Sequence, residues 1–189
     1  MSQSQIDIIQ LQHDVAILRD QQAYKILFKH FHKPLIHFGT SIVKSKESAE
    51  EIYSDVMLKL WNLGSALNNI DNLKVYLFIS IKNASLNYLA KHYKVRTLDI
   101  ESIDIELQHV TTPEEDLLHS EFQRSLALAI KALPTKAQLV YKLIKEDGFS
   151  YKNVAEILGI SVNTVEGHMT SALKKIATTL RSYLRSENN

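Results

Sequence analysis

The chain predicts an all-α fold: two small helical domains joined by an acidic linker, the second carrying a helix-turn-helix. Glycine and proline are scarce, five and three in 189 residues. No alternating β-rich run bounded by turn residues occurs, and apolar residues recur at helical spacing along most of the chain. Helices are predicted over residues 5–18, 20–44, 47–62, 72–93, 114–132, 135–146, 150–158 and 161–184. An apolar fraction of 45% suffices for real cores in domains of this size.

The first helix, within 1–18, mixes Gln, Asp and His with aliphatic residues, so it reads as neither a secretory signal nor an anchor. No run is long enough to span a bilayer. There are no cysteines, which excludes disulfides and thiolate metal sites and suits a reducing cytoplasm. His30, His32 and His37 cluster in the second helix, but His30 and His32 point apart and no carboxylate has matching spacing, so no metal or cofactor is expected.

In the third helix Ala49, Ile52, Tyr53, Val56, Met57, Leu60 and Trp61 form a broad apolar face opposite Glu50, Glu51, Ser54, Asp55 and Lys59. Alone this is an amphipathic surface helix whose acidic edge is either solvated or docks a basic partner. The fourth helix interleaves aromatics with amides and cations: Tyr76, Phe78, Lys82, Asn83, Asn87, Tyr88, Lys91, His92, Tyr93, Lys94. Such mixtures bind single-stranded nucleic acid by stacking, edge hydrogen bonds and backbone cations. Most of these aromatics are needed in a core. Asn83 and Asn87 share a face at i, i+4, where amides gain little from burial.

Net charge is only +1, but its distribution is uneven. Residues 82–96 carry Lys82, Lys91, Lys94 and Arg96 and no acid, whereas 97–123 carry Asp99, Glu101, Asp104, Glu106, Glu114, Glu115, Asp116 and Glu121 and no Lys or Arg. The β-branched, acidic, non-periodic stretch before Pro113 predicts a linker over 97–113 between domains at 1–96 and 114–189.

Residues 148–175 complete the pattern. Tyr151, Val154, Ala155 and Leu158 form one apolar stripe, Ser150 caps its start, and Gly159 supplies the left-handed turn. Ser161 or Asn163 caps the next helix, where Val162, Val165, Met169, Ala172, Leu173 and Ile176 are expected inward. Asn163, Thr164, Glu166, Gly167, His168, Thr170, Ser171, Lys174 and Lys175 are expected outward. An outward face of hydrogen-bonding side chains with a basic end fits the major groove of duplex DNA.

Three motifs in this order, Ala49-Glu50-Glu51-Ile52-Tyr53-Ser54-Asp55-Val56-Met57-Leu58-Lys59-Leu60-Trp61, then Tyr76-Leu77-Phe78 with Asn83 and Asn87, then the helix-turn-helix, resemble bacterial RNA polymerase sigma factors of the extracytoplasmic-function group. The resemblance spans residues 23–184. It implies that Glu51, Ser54 and Asp55 contact the clamp helices of the polymerase's largest subunit. It further implies that residues 65–72 with Asn83 and Asn87 capture an extruded base of the minus-ten element, and that Lys82, Lys91 and Lys94 hold the strand backbone. Asn163, Thr164, Glu166, Gly167, His168, Ser171, Lys174 and Lys175 would meet the minus-thirty-five duplex, with the same domain leaning on the polymerase flap. The acidic linker would occupy positively charged channels of the polymerase. The implied protein is cytoplasmic and performs no covalent chemistry. Many members of the group are held by an anti-sigma factor, a further partner the resemblance admits.

The match departs at Ser54, where the group usually has glutamine, and at Ile79, where arginine is common. Glu166 and Ser171 stand where Lys or Arg is frequent. Upstream reading should therefore be weak, so that an additional DNA-bound partner would help recruit the complex. A LuxR-type regulator shares Thr164-Val165 and His168, but its first domain would be an α/β receiver or ligand-binding domain. A helical scaffold would bind neither polymerase nor promoter. Enzyme motifs such as GxxxxGK[ST] or HExxH are absent from the sequence.

Overall fold

The computed structural model describes residues 7–93 and 121–187. The predicted linker and the start of the helix expected from residue 114 fall outside them. The chain divides into two compact units, Met1–Ile103 and Asp104–Asn189, and every regular element among the described residues is helical.

In the first unit, α1 (Ile8–His13) is capped by the Asp7 carboxylate, which accepts from the Ile9 and Gln10 amides at 3.1 and 3.0 Å. The helix expected over 5–18 is not one α-helix. After His13 it widens into a π-helical turn, Asp14–Leu18, and ends at Arg19 in the left-handed region, φ 54°. The turn buries Val15 and Ala16.

Asp20 caps α2 (Gln21–Val43), accepting from the Gln22 amide at 2.7 Å. Pro34 lies inside this helix and removes one amide donor. The helix continues because it is held by burial: from residue 35 to 43 every residue except His37 is buried. Ser45 caps α3 (Lys46–Asn62), and Asn72 Oδ1 accepts from the Val75 amide at the start of α4 (Leu73–Tyr93). α2 packs on α3 and α4, and α3 packs on α4. Gly39 makes that approach close, since a Cβ there would lie 3.3 Å from the Ala49 Cβ and 3.4 Å from Ile81 Cγ2.

In the second unit, α8 (Val162–Glu187) packs on α5 (Glu121–Lys131), α6 (Thr135–Lys145) and α7 (Tyr151–Leu158). Ala129, Leu133, Ala137, Ala172 and Ile176 form one cluster. Leu143, Val154, Ile157 and Val165 are also buried. The small alanines let these short helices approach closely.

Candidate functional site

The outer face of α3 follows from its inner one. Ala49, Ile52, Tyr53, Val56, Met57 and Leu60 are buried, which turns Glu51, Ser54 and Asp55 to solvent together. The Ser54 hydroxyl donates to the Glu50 carbonyl at 2.9 Å, so it is occupied within its own helix, whereas the two carboxylates stand out from it.

Leu58 continues this face one turn on and is 56% exposed. Beyond it opens a groove of about 620 Å³ lined by Gln21, Tyr24, Lys25, Phe28, Lys29, Leu58 and Trp61. Trp61, expected within the apolar face, is only half-buried. The Arg19 guanidinium lies over its ring at 4.0 Å and Tyr24 meets it edge-on at 5.0 Å. Arg19 also donates to the Trp61 carbonyl near the end of α3, where the helix dipole favours a cation. Below the groove the Tyr53 hydroxyl donates to the Phe28 carbonyl, and burial pushes its pKa well up. Sequence reasoning missed this groove; its signal was Leu58, an apolar residue three positions after Asp55 on the polar side of the helix.

Residues 63–71, left between the helices predicted over 47–62 and 72–93, contain a 3-10 helix, Gly64–Asn69. It is fastened from beneath: the buried Gln12 side chain donates to the Leu67 carbonyl at 2.9 Å and the Ile70 carbonyl at 2.8 Å. Leu67 is buried, while Ser65, Asn68, Asn69 and Asn72 are exposed. On α4, Asn83, Asn87 and Lys91 are exposed and follow one another at i, i+4, i+8, so they form a single strip. Lys82 is half-buried, and Lys94 lies outside the described residues. Leu77, Phe78 and Ile81 are core. Tyr88 is held internally, its hydroxyl 2.9 Å from Ser48 Oγ and its ring 4.2 Å from His92.

The helix-turn-helix forms as its capping residues dictate. Ser150 and Asn153 make a reciprocal capping box on α7, and Gly159 ends that helix at φ 73°. Ser161, rather than Asn163, caps α8: its Oγ accepts from the Thr164 amide at 3.0 Å and lies 2.8 Å from the Thr164 hydroxyl. Thr164 is therefore half-buried and engaged, less available than expected.

The inward face of α8 is narrower than the sequence suggested. Val165, Met169, Ala172 and Ile176 are buried, but Val162 and Leu173 are 39% and 47% exposed, because both fall on the same flank of that stripe. Asn163, Glu166, Gly167, Ser171, Lys174 and Lys175 are exposed and His168 is half-exposed. Gly167 stands near the middle of the exposed arc. Its backbone is ordinary helix, where glycine costs about 1 kcal/mol relative to alanine.

Among the described residues no three His, Cys, Asp or Glu come together as a metal-ligand group. An amide-lined helix in one unit and a helix-turn-helix in the other fit the class of nucleic-acid-binding proteins. Residues 27–95 match the model of sigma-70 region 2 and residues 123–176 that of sigma-70, region 4. The two matches together cover well over half of the chain, which belongs to the sigma-70 family of initiation factors, in its extracytoplasmic-function group.

Similar proteins agree. The ECF RNA polymerase sigma-E factor of Haemophilus influenzae is 24% identical over 83% of this chain and 87% of its own length. The corresponding factor of Escherichia coli K12 is 21% identical over 88% and 91%. Among solved structures, CnrH in complex with the cytosolic domain of CnrY shares the fold with a TM-score of 0.55 at 20% identity, covering 92% of this chain and 97% of the other. The sigma factor RpoE in complex with the anti-sigma factor NepR from Bartonella quintana gives 0.56 at 20%, covering 85% and 98%.

The chain is thus an initiation factor that binds core RNA polymerase, recognises promoter DNA and promotes strand opening, and it is not an enzyme by itself. The match to region 2 sets aside the LuxR-type alternative, whose first domain would be α/β. Among the described residues no helix is long and apolar enough to cross a membrane.

Proposed function

We propose a division of labour in which the first unit, within residues 1–96, docks on the polymerase and opens the minus-ten element, and the second, within 114–189, reads the minus-thirty-five duplex. The observation that carries the docking role is the outer face of α3, where Glu51 and Asp55 present carboxylates beside the exposed Leu58. Carboxylates flanking an apolar contact favour a basic, partly apolar helical partner such as the clamp helices, because the charges steer encounter and the apolar area contributes affinity. Trp61 and the groove beside it extend the same surface onto α2.

Asn83, Asn87 and Lys91 then follow the extruded strand, the amides on base edges and the ammonium on the backbone, with Lys82 and Lys94 adding charge. Residues 65–72 wall the base pocket. Extruding a base costs a few kcal/mol, which stacking and these hydrogen bonds offset. The acidic linker at 97–113 occupies basic channels of the polymerase. On α8, Asn163, Glu166, Gly167, His168 and Ser171 face the duplex with Thr164 at its edge, while Lys174 and Lys175 meet phosphates and the domain leans on the flap.

The working compartment is the cytoplasm, where the polymerase is. CnrH and RpoE occur in complexes with CnrY and NepR, which supports an anti-sigma partner for this chain also. Glu166 and Ser171 leave the reading helix short of cations, and a DNA-bound recruiting partner would make good the difference.

Reconstitution with core polymerase and mapping of transcription starts tests this reading. Specific initiation is expected, and Asp55→Ala should weaken core binding by about 2 kcal/mol, roughly thirtyfold, with the fold unchanged by circular dichroism. A full-strength Asp55→Ala holoenzyme would remove that residue from the interface.

A further inference from the structure

Four of the five glycines have a reason within the fold. Gly39 sits where a Cβ would press on Ala49 and Ile81, and Gly64, Gly148 and Gly159 have positive φ. Gly167 has neither. Its φ is ordinary, and a Cβ built there meets nothing within 4 Å. A helix-weakening residue thus occupies an exposed position inside α8 with no internal return.

The position is also specific. Val165, Met169, Ala172 and Ile176 fix the buried stripe of α8. At 100° per residue Gly167 points almost directly away from it, on the outermost line of the helix that it shares with Lys174 two turns on. What a side chain at 167 would meet is therefore a partner, and the partner proposed above for this face is duplex DNA.

We propose that Gly167 is the point of closest approach between α8 and the major groove, and that its missing side chain lets the helix seat deeply enough for Asn163 and Thr170, one turn to either side, to reach base edges. This rests on the reading of α8 as the upstream-element helix. It also explains how a helix with Glu166 and Ser171 on its exposed face binds promoter DNA: close fit and short hydrogen-bonding side chains take the share that phosphate cations usually carry.

The test uses the full chain in holoenzyme with Gly167→Ala and Gly167→Gln. It measures thermal midpoint, affinity for duplexes carrying the upstream sequence of mapped promoters, and affinity for the same duplexes with that sequence scrambled. Alanine should raise the midpoint by a few degrees, because it favours the helix, yet lower specific affinity at least tenfold. Glutamine should lower it further, and the difference from the parent protein should vanish on scrambled duplex.

Alanine that stabilises and binds as tightly as glycine overturns the proposal while leaving the upstream reading intact, because the parent still prefers the intact sequence. A midpoint that falls with alanine overturns it by revealing an internal role, and an equal loss on scrambled duplex overturns it by moving the contact elsewhere. A parent holoenzyme indifferent to scrambling sinks the upstream reading itself and the proposal with it.

Discussion

In the first unit the exposed working residues stand on long helices whose opposite faces bury Phe31, Tyr53, Met57, Phe78 and Ile81, and a buried glutamine ties down the adjoining loop. In the second, the working helix rests on short helices through Ala137, Ala172 and other small or medium side chains, and its exposed face carries a glycine and an acid. The contrast teaches that, on the proposed division of labour, the two halves of promoter recognition are provisioned differently. A docking and melting surface must hold its shape against the cost of extruding a base, whereas a reading helix gains from lying close to its target.

The largest effect that sharpens the contrast is expected in the first core. Phe78→Ala should destabilise its unit by about 3–5 kcal/mol, through lost burial and a cavity among rigid neighbours. Calorimetry should show that transition moving while the transition of the second unit stays; a common shift would mean the units do not unfold separately.

Next comes the α4 strip. Asn83→Ala with Asn87→Ala should leave stability within about 0.5 kcal/mol, both being exposed, yet slow promoter opening roughly tenfold. Permanganate reactivity of unpaired thymines reads this directly, and normal opening would return both asparagines to the solvated surface.

For the second unit the change runs the other way. Glu166→Lys with Ser171→Arg should strengthen binding to upstream duplex about tenfold at low salt, and steepen the salt dependence by roughly two phosphate contacts. An unchanged slope would mean that neither position meets the backbone.

The smallest effect concerns Tyr53. Its hydroxyl keeps its proton in the folded state well above the ordinary value of 10.0, while the unfolded chain releases it there. The associated stability is complete below about pH 10 and is lost as pH rises further. Tyr53→Phe should cost about 1 kcal/mol at neutral pH and flatten the alkaline decline in a denaturant series. An unaltered decline would assign it to other groups, Tyr24 included, whose pKa burial also raises.

Much of this architecture was legible because it is local. Ser150, Gly159 and Ser161 set the ends of α7 and α8 through their own hydrogen bonds and backbone preferences, and the stripe on α3 follows from helical period alone. What stayed hidden depends on contacts distant in sequence. Gln12 meets Leu67 and Ile70, more than fifty residues away, and turns an expected loop into an ordered 3-10 helix. The groove needs Tyr24 and Phe28 from one helix beside Leu58 and Trp61 from another. Val162 and Leu173 were assigned inward on their apolar character, yet the packing of α8 needs only a narrow stripe, which left both on one flank of it.

The Gln12 side chain has a kinetic consequence. A segment that had to stiffen only when a base arrived would add an ordering entropy of about 1–2 kcal/mol per residue to the barrier for strand separation. If residues 65–72 wall the base pocket as proposed, α1 removes part of that entropy from the opening step by fixing the backbone at Leu67 and Ile70 during folding. On that reading, a helix outside the proposed DNA-facing surfaces helps to set how fast promoters open.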